Sequence, residues 1–437
     1  MAHAHFTSKL GFIAAAAGSA VGLGNIWGFP TEAANNGGGT FLLIYFAMVV
    51  LVGYPMLLAE VTIGNLAQAN PIDALSRLTQ KAKSRIVLAG IGWAGTLTIL
   101  LILSFYSVVG AWIMNAVIQQ VNSLLNIAMP SIPLWLSAYG FLALTACVIV
   151  LGVKNGIERL SKILMPTLLL LLIIMIIWVL TLDGASKGIS WYFTSDFSQL
   201  SPELLGRALG QAFFSLSIGV TGMMTYGAYL KRSRGLPKTV ASVTLLDTSV
   251  AFLAGLLILP ALSAAQAQGI TVFNGAGQLI GSDKLVFDIL PALFANLGVT
   301  GLLISILFFV LLLIAAITSS ISMMEPPVNT LQEKTGLNRK ACLIAVTAVA
   351  ALVIGFTTQN MAQMFGTLIT FTTNYMQPLL GVLITLVLAW YIRQHHILKA
   401  LMGEGYQRKR FWKVWRIHVF VIIPLVSLGL AYNLGWF

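Results

Sequence analysis

Charge is scarce in this chain. Only 9% of its 437 residues are charged, and 58% are hydrophobic, with a mean hydropathy of +0.90. A soluble protein carries about 25% charged residues, so a soluble fold is excluded. Acid is the scarcer sign: 13 Asp and Glu stand against 25 Lys and Arg, a net charge of +12. No Asp or Glu lies between Glu333 and Glu404. Cysteine is nearly absent. Cys147 and Cys342 both fall inside apolar runs, which argues against a disulfide framework and a cysteine metal site. The five histidines (His3, His5, His395, His396, His418) sit near chain ends or in loops, so the constellation of a membrane enzyme is missing and no catalytic residue is expected. Low-complexity tracts are missing too, and polar stretches are few. The longest, 183–204 and 269–289, are the candidate lids.

What is present is apolar runs. Eleven stand out, at 10–35, 39–69, 86–124, 131–151, 160–182, 205–232, 237–268, 290–331, 339–357, 361–393 and 412–435. A crossing needs about 20 residues, so the longer runs imply tilt or extension beyond the bilayer. With the N-terminus inside, all 25 Lys and Arg except Lys187, Arg207 and Lys284 fall on the cytoplasmic side. That is the positive-inside pattern. It predicts a multi-pass protein of the inner (plasma) membrane with an external C-terminus, and it makes the basic surplus a topology signal, not a nucleic-acid footprint. The first run could also be read as a secretory leader, but no soluble passenger follows it. The expected fold is all-α: one domain over 1–437 with eleven transmembrane helices.

Two of the runs are interrupted. In "AGSAVGLGNIWGFP" (17–30), Gly18, Gly22, Gly24 and Gly28 crowd a helix and Asn25 breaks its apolar face. Glycine costs a helix interior roughly 1 kcal/mol, and unpaired backbone in hydrocarbon costs more. In "FFSLSIGVTGMMTYGAYL" (213–230), Ser215, Ser217, Gly219, Thr221 and Gly222 do the same. These are the first and sixth runs, matching places in two five-helix halves (about 10–182 and 205–396, with 412–435 an extra helix). Paired broken helices in matching positions point to a 5+5 inverted-repeat transporter with its site at the midplane. Close helix packing through small residues is the simpler reading, but it does not account for the repetition. A break frees carbonyl oxygens for a hard cation and exposes positive half-helix N-termini to a carboxylate.

Other polar groups sit at membrane depth. Ala315, Thr318 and Ser319 share one helix face; they suit a cation shell, or the hydroxyls simply bond back along the helix. Tyr106 places a hydroxyl at mid-span. Glu60, Asp247 and Glu325 are carboxylates inside apolar runs and functional candidates by default. For Glu60 and Glu325 the competing role is an anchor for backbone amides near helix ends.

At these residues the chain resembles the neurotransmitter:sodium symporters, in the branch of bacterial amino-acid transporters. "GSAVGLGNIWGFP" with "NGGGTF" is similar to that family's first helix. "GIERLSKILMP", "QAFFSLSIG" and "AAITSSIS" are similar to its fifth, sixth and eighth. The resemblance spans nearly the whole chain. It implies one sodium site at Ala20, Asn25, Ser215 and Asp247, and a second at Gly18, Val21, Ala315, Thr318 and Ser319. It implies a substrate site along Ser19, Ala20, Val21, Gly22, Leu23 and Gly24. Tyr106 would hold the substrate carboxylate. Ile102, Phe214, Ser215, Ser217, Val220, Ser319 and Met323 would surround the side chain. Glycine at 22, where monoamine-carrying relatives have aspartate, implies an amino acid, and an uncharged pocket implies a neutral, hydrophobic one. The expected activity is sodium-coupled import by alternating access. A substrate-sensing receptor of the same fold is the alternative.

Three departures from the family pattern stand out. Gly28 replaces the outer-gate arginine, and its acidic partner on the tenth helix is missing. His3 replaces the arginine of the inner latch, whose acidic partner is Glu333. Asp247 stands where asparagine is common, one turn before Ala251, so it would supply the negative charge that chloride supplies in animal relatives; chloride is not expected to be required. Gly156 and Pro166 have the spacing at which the family's fifth helix unwinds. The sequence does not specify the oligomeric state.

Overall fold

The computed structural model describes residues 5–127, 130–232, 235–275, 279–281, 285–392 and 406–433. Regular structure among them is helical, apart from one isolated bridge between Phe273 and Leu279. In chain order the helices are α1 (Lys9–Ala20), α2 (Gly24–Asn35), α3 (Gly39–Ala67), α4 (Pro71–Ser76), α5 (Ala82–Leu125), α6 (Leu134–Val150), α7 (Val153–Val179), α8 (Ala185–Phe193), α9 (Pro202–Ser215), α10 (Gly222–Tyr229), α11 (Leu236–Ala267), α12 (Leu285–Ala295), α13 (Gly298–Thr335), α14 (Arg339–Gln359), α15 (Met361–Tyr391) and α16 (Tyr406–Asn433).

Seven of these are long and apolar enough to cross a membrane: α3, α5, α7, α11, α13, α14 and α15. The pair α1 and α2, bent by 52°, makes an eighth. Length and composition among the described residues therefore do not confirm the expected count of eleven. Helix α6 is apolar but has 17 residues. Helices α9 and α10 have 14 and 8 residues on either side of a break. Helix α16 carries Arg408, Lys409, Arg410, Lys413 and Arg416 in the sequence of its first half. The run expected at 290–331 also divides, because α12 ends at Ala295 and α13 starts afresh at Gly298. Within the expected lid 183–204 lies the short helix α8.

Local chemistry sets the helix ends. Ser8 caps α1 by accepting from the Gly11 amide, Asn70 caps α4 from Ile72 and Asp73, and Ser201 caps α9 from Leu204. Gly336, at φ +72°, ends α13.

The second break is held from two sides. Its residues Ser217, Gly219 and Thr221 all have positive φ (52°, 88° and 61°). Glu60 on α3 accepts from the Gly219 amide at 2.5 Å, which bears out its role as a backbone anchor. On the other side Gln377 of α15 donates to the Phe213 carbonyl at 2.9 Å. Below the break, α10 lies directly on α3. A Cβ on Gly64 would strike the Met224 carbonyl, and one on Gly227 would strike the Val61 carbonyl. The two backbones touch reciprocally, the use of small residues that lets membrane helices approach.

This contact predicts a stability difference. Gly64→Ala should lower the melting temperature in detergent by forcing the backbones apart, at about 1–3 kcal/mol. Gly90→Ala, whose added Cβ meets nothing within 4 Å, should leave melting unchanged. Equal melting of the two variants would contradict the close contact.

Candidate functional site

The bend between α1 and α2 follows from where the backbone amides go. The Gly22 amide donates to Asn25 Oδ1 at 3.0 Å, the Leu23 amide to the Tyr106 hydroxyl at 3.3 Å, and the Asn25 amide to the Gly22 carbonyl at 3.2 Å. In a continuous helix these amides would serve the carbonyls of Gly18, Ser19 and Val21. Those oxygens are thus released in the protein interior. Buried carbonyls need partners, and hydroxyls supply some. Ser19 accepts from Ser217 at 3.3 Å and from Ser319 at 3.4 Å, and Val21 accepts from Ser319 at 3.3 Å. Ala20 is the last residue of α1 and is buried.

A charged cluster lies beside the break. Asp247 on α11 is fully buried, and no ion pair among the described residues reaches it. Its partners are neutral. Asn25 Nδ2 donates to its Oδ1 at 2.8 Å and to its backbone carbonyl at 3.0 Å; Ser215 Oγ donates to Oδ2 at 2.9 Å. Asn25 Nδ2 also reaches Ser215 Oγ at 2.9 Å. The Tyr45 hydroxyl, from α3, donates to the same Oγ at 3.2 Å. Asn25, Ser215 and Asp247, expected at one site, therefore meet. Tyr45 was not anticipated, although a hydroxyl inside the apolar run "FLLIYFAM" was the available signal.

The second group comes together only in part. Ser319 joins α13 to the released carbonyls of Ser19 and Val21, while Thr318 bonds back along its own helix, donating to Ile314 and Ala315, both at 3.0 Å. Gly18 faces α7, where a Cβ would lie 3.6 Å from Ser161 Oγ. Gly22 has no room for a side chain: a Cβ would press on Ser319 Oγ and stand 3.1 Å from the Tyr106 hydroxyl. Phe214 lies across Gly24, with its ring edge 2.8 Å from where a Cβ would sit. Ile102, Val220 and Met323 are buried in the same apolar core. Gln211 on α9 was missed. Its Nε2 donates to the Gly24 carbonyl at 2.7 Å, and its Oε1 stands 3.1 Å from where a Cβ on Gly28 would be.

The donor set suits a hard monovalent cation such as Na⁺: released carbonyls, hydroxyls, one amide oxygen and one carboxylate. Soft-metal ligation has no counterpart, because no group of three or more His, Cys, Asp or Glu forms among the described residues.

Beside α2, aromatic rings from several helices pack together. Phe287 of α12 meets Trp27 edge-on at 5.7 Å and Trp112 at 6.1 Å. Trp112 meets Phe365 of α15 at 5.1 Å, and Phe365 meets Phe105 at 6.2 Å. One chain of rings thus links α2, α5, α12 and α15. The opposite face closes with polar groups. Glu325, expected either as a functional carboxylate or as a backbone anchor, instead pairs with Arg339 at 2.5 and 3.1 Å and accepts from Tyr229 at 2.6 Å. Its partner on α14 is 14 residues away, beyond the reach of any helical pattern. Glu333 accepts from Asn70. The Glu158 carboxylate of α7 accepts from the Thr7 amide at 2.8 Å and from its hydroxyl, which ties the start of α1 to the wide first turns of α7. His3 lies outside the described residues. Gly156 packs against the Val148 carbonyl, and Pro166 lies inside α7.

Comparison with known proteins gives one answer. The profile of the "Sodium:neurotransmitter symporter family" matches residues 3–133 and 126–433. An uncharacterised sodium-dependent transporter of Bacillus subtilis is 38% identical over 77% of this chain and 74% of its own length. One from Haemophilus influenzae is 31% identical over 97% of this chain and 96% of its own. The crystal structure of MhsT in complex with L-phenylalanine superposes with a TM-score of 0.84 at 32% identity, covering 98% and 99% of the two chains. With released carbonyls and a buried carboxylate at the helix break, the chain belongs to the sodium:neurotransmitter symporter family and is a sodium-coupled, multi-pass membrane transporter.

Proposed function

We propose that this transporter imports a neutral, hydrophobic amino acid with Na⁺ by alternating access, through eleven spans in two inverted halves. In that reading α6, the broken pair α9 and α10, and α16 are the three further spans, the N-terminus is cytoplasmic and the C-terminus external. The observation that carries it is the convergence of the Gly22 and Leu23 backbone, the Tyr106 hydroxyl and Ser319 on one point beside two oxygen-rich clusters. A substrate carboxylate there meets a phenol donor and the half-helix N-terminus of α2. The bound L-phenylalanine of MhsT supports a hydrophobic substrate.

The two sodium sites are those expected: Ala20, Asn25, Ser215 and Asp247 for one, and Gly18, Val21, Ala315, Thr318 and Ser319 for the other. In the first, the Asn25 amide nitrogen faces Asp247 and satisfies the carboxylate, while its Oδ1 accepts from the Gly22 amide. A cation bound there would replace that nitrogen as the partner of the carboxylate. Asp247 supplies the balancing charge, so chloride is not needed. The aromatic chain from Trp27 to Phe365 is the outer closure in place of the arginine–aspartate pair. The inner exit opens where α1 lifts from the first turns of α7, between Gly156 and Pro166.

Thermal shift against neutral amino acids, in Na⁺ and in K⁺, tests the reading. A hydrophobic amino acid should stabilise the protein in Na⁺ alone. Tyr106→Phe should weaken that binding about ten- to a hundredfold, the worth of a hydrogen bond to a charged group, roughly 1.5–3 kcal/mol. Ser319→Ala should raise the Na⁺ concentration needed. Unchanged affinity in both variants would remove these residues from the site.

Each aromatic ring pair contributes about 0.5–1.5 kcal/mol. Phe365→Ala removes two, so bound substrate should dissociate roughly ten times faster with its Na⁺ dependence kept. Dissociation at the wild-type rate would show that the rings do not close the outer path.

A further inference from the structure

Away from the helix breaks, an apolar groove opens on the surface of the helical bundle. It is a groove of about 640 Å³ between the first turns of α5, the last turns of α15 and the middle of α16. Val87, Leu386, Trp390 and Phe420 make its walls almost wholly apolar. At one end stand Lys83 and Ser84. Lys83 is exposed and forms no hydrogen bond or ion pair among the described residues. A second cation is held near that end: Arg416 donates to the Ala389 carbonyl at 2.9 Å, and its guanidinium lies 5.2 Å over the Phe420 ring.

The sequence leaves this end without a counter-charge. No Asp or Glu occurs in 74–157, which contains α5, nor in 334–403, which contains α15, nor in 405–437, which contains α16. All three walls are thus free of acid, so no carboxylate on these helices answers the Lys83 ammonium. An apolar trough ending in an unanswered ammonium is complementary to one molecule of the bilayer. We propose that this groove is a binding site for an anionic phospholipid, with an acyl chain along Leu386 and Phe420 and the phosphate at Lys83 and Ser84. Basic pockets between transmembrane helices recognise anionic head groups in this way. The Trp390 indole, 65% exposed at the same end, suits the interfacial depth of a head group. A second copy of this chain is a poor occupant, because a two-fold contact would set the same basic ends against each other.

Counting bound lipid by native mass spectrometry tests this, and needs no transport assay. The delipidated, detergent-purified protein would be given phosphatidylglycerol or phosphatidylcholine with the same acyl chains. The wild type should retain about fivefold more phosphatidylglycerol, the factor expected of one basic side chain at a lipid surface. Lys83→Gln should equalise the two lipids, and Lys154→Gln, on another loop, should not. Leu386→Trp, which fills the trough, should lose both. Inorganic phosphate should not displace the lipid. Equal retention by the wild type would overturn the proposal, as would a preference that survives Lys83→Gln or displacement by phosphate. The Lys83 arm decides the matter even if Leu386→Trp fails to fold.

Discussion

Everything at the centre of this molecule depends on one buried carboxyl group without a positive side chain beside it. Asp247 lies fully enclosed on α11, and its partners are an amide, a hydroxyl and, one step further, a phenol. A carboxylate taken out of water costs several kcal/mol unless it is compensated. Neutral donors meet part of that cost. Each of those donors comes from a different element: Asn25 from the first turn of α2, Ser215 from the last of α9, and Tyr45 from α3. The carboxyl group therefore gathers both helix breaks and one continuous helix around itself, and in the proposed reading a cation completes the cluster.

The breaks follow the same logic from the backbone side. Asn25, Tyr106, Glu60 and Gln377 each take up a backbone group that a continuous helix would have paired internally. The irregular segments are stable at membrane depth because α3, α5 and α15 supply those partners. The carbonyls left over on α1 then face Ser319 and Ser217. In the proposed reading these backbone atoms, which a membrane would punish, are the ligand surface of the transporter.

Much of this was legible in the sequence, because it depends on composition at fixed positions. Glycine clusters in two apolar runs marked both breaks, and polar residues where only hydrocarbon was expected marked Asn25, Ser215 and Asp247. Long-range pairing was not legible. Nothing local says that Glu325 meets Arg339 and Tyr229, or that Gln211 reaches across to Gly24. The chain of aromatic rings was hidden for a related reason: its rings come from four separate helices, and each alone looks like an ordinary membrane phenylalanine or tryptophan. The orientation of the Asn25 amide is a property of the folded cluster alone.

The most direct test of the account is Na⁺-driven uptake into proteoliposomes with chloride replaced by gluconate, for the wild type and for Asp247→Asn. If the Asp247 charge balances the ion, the wild type should accumulate its amino acid equally in chloride and gluconate. The variant, which keeps an oxygen ligand and loses the charge, should need much more Na⁺ or become dependent on chloride. Wild-type uptake that collapses in gluconate would contradict the account, as would a variant indistinguishable from wild type in both media.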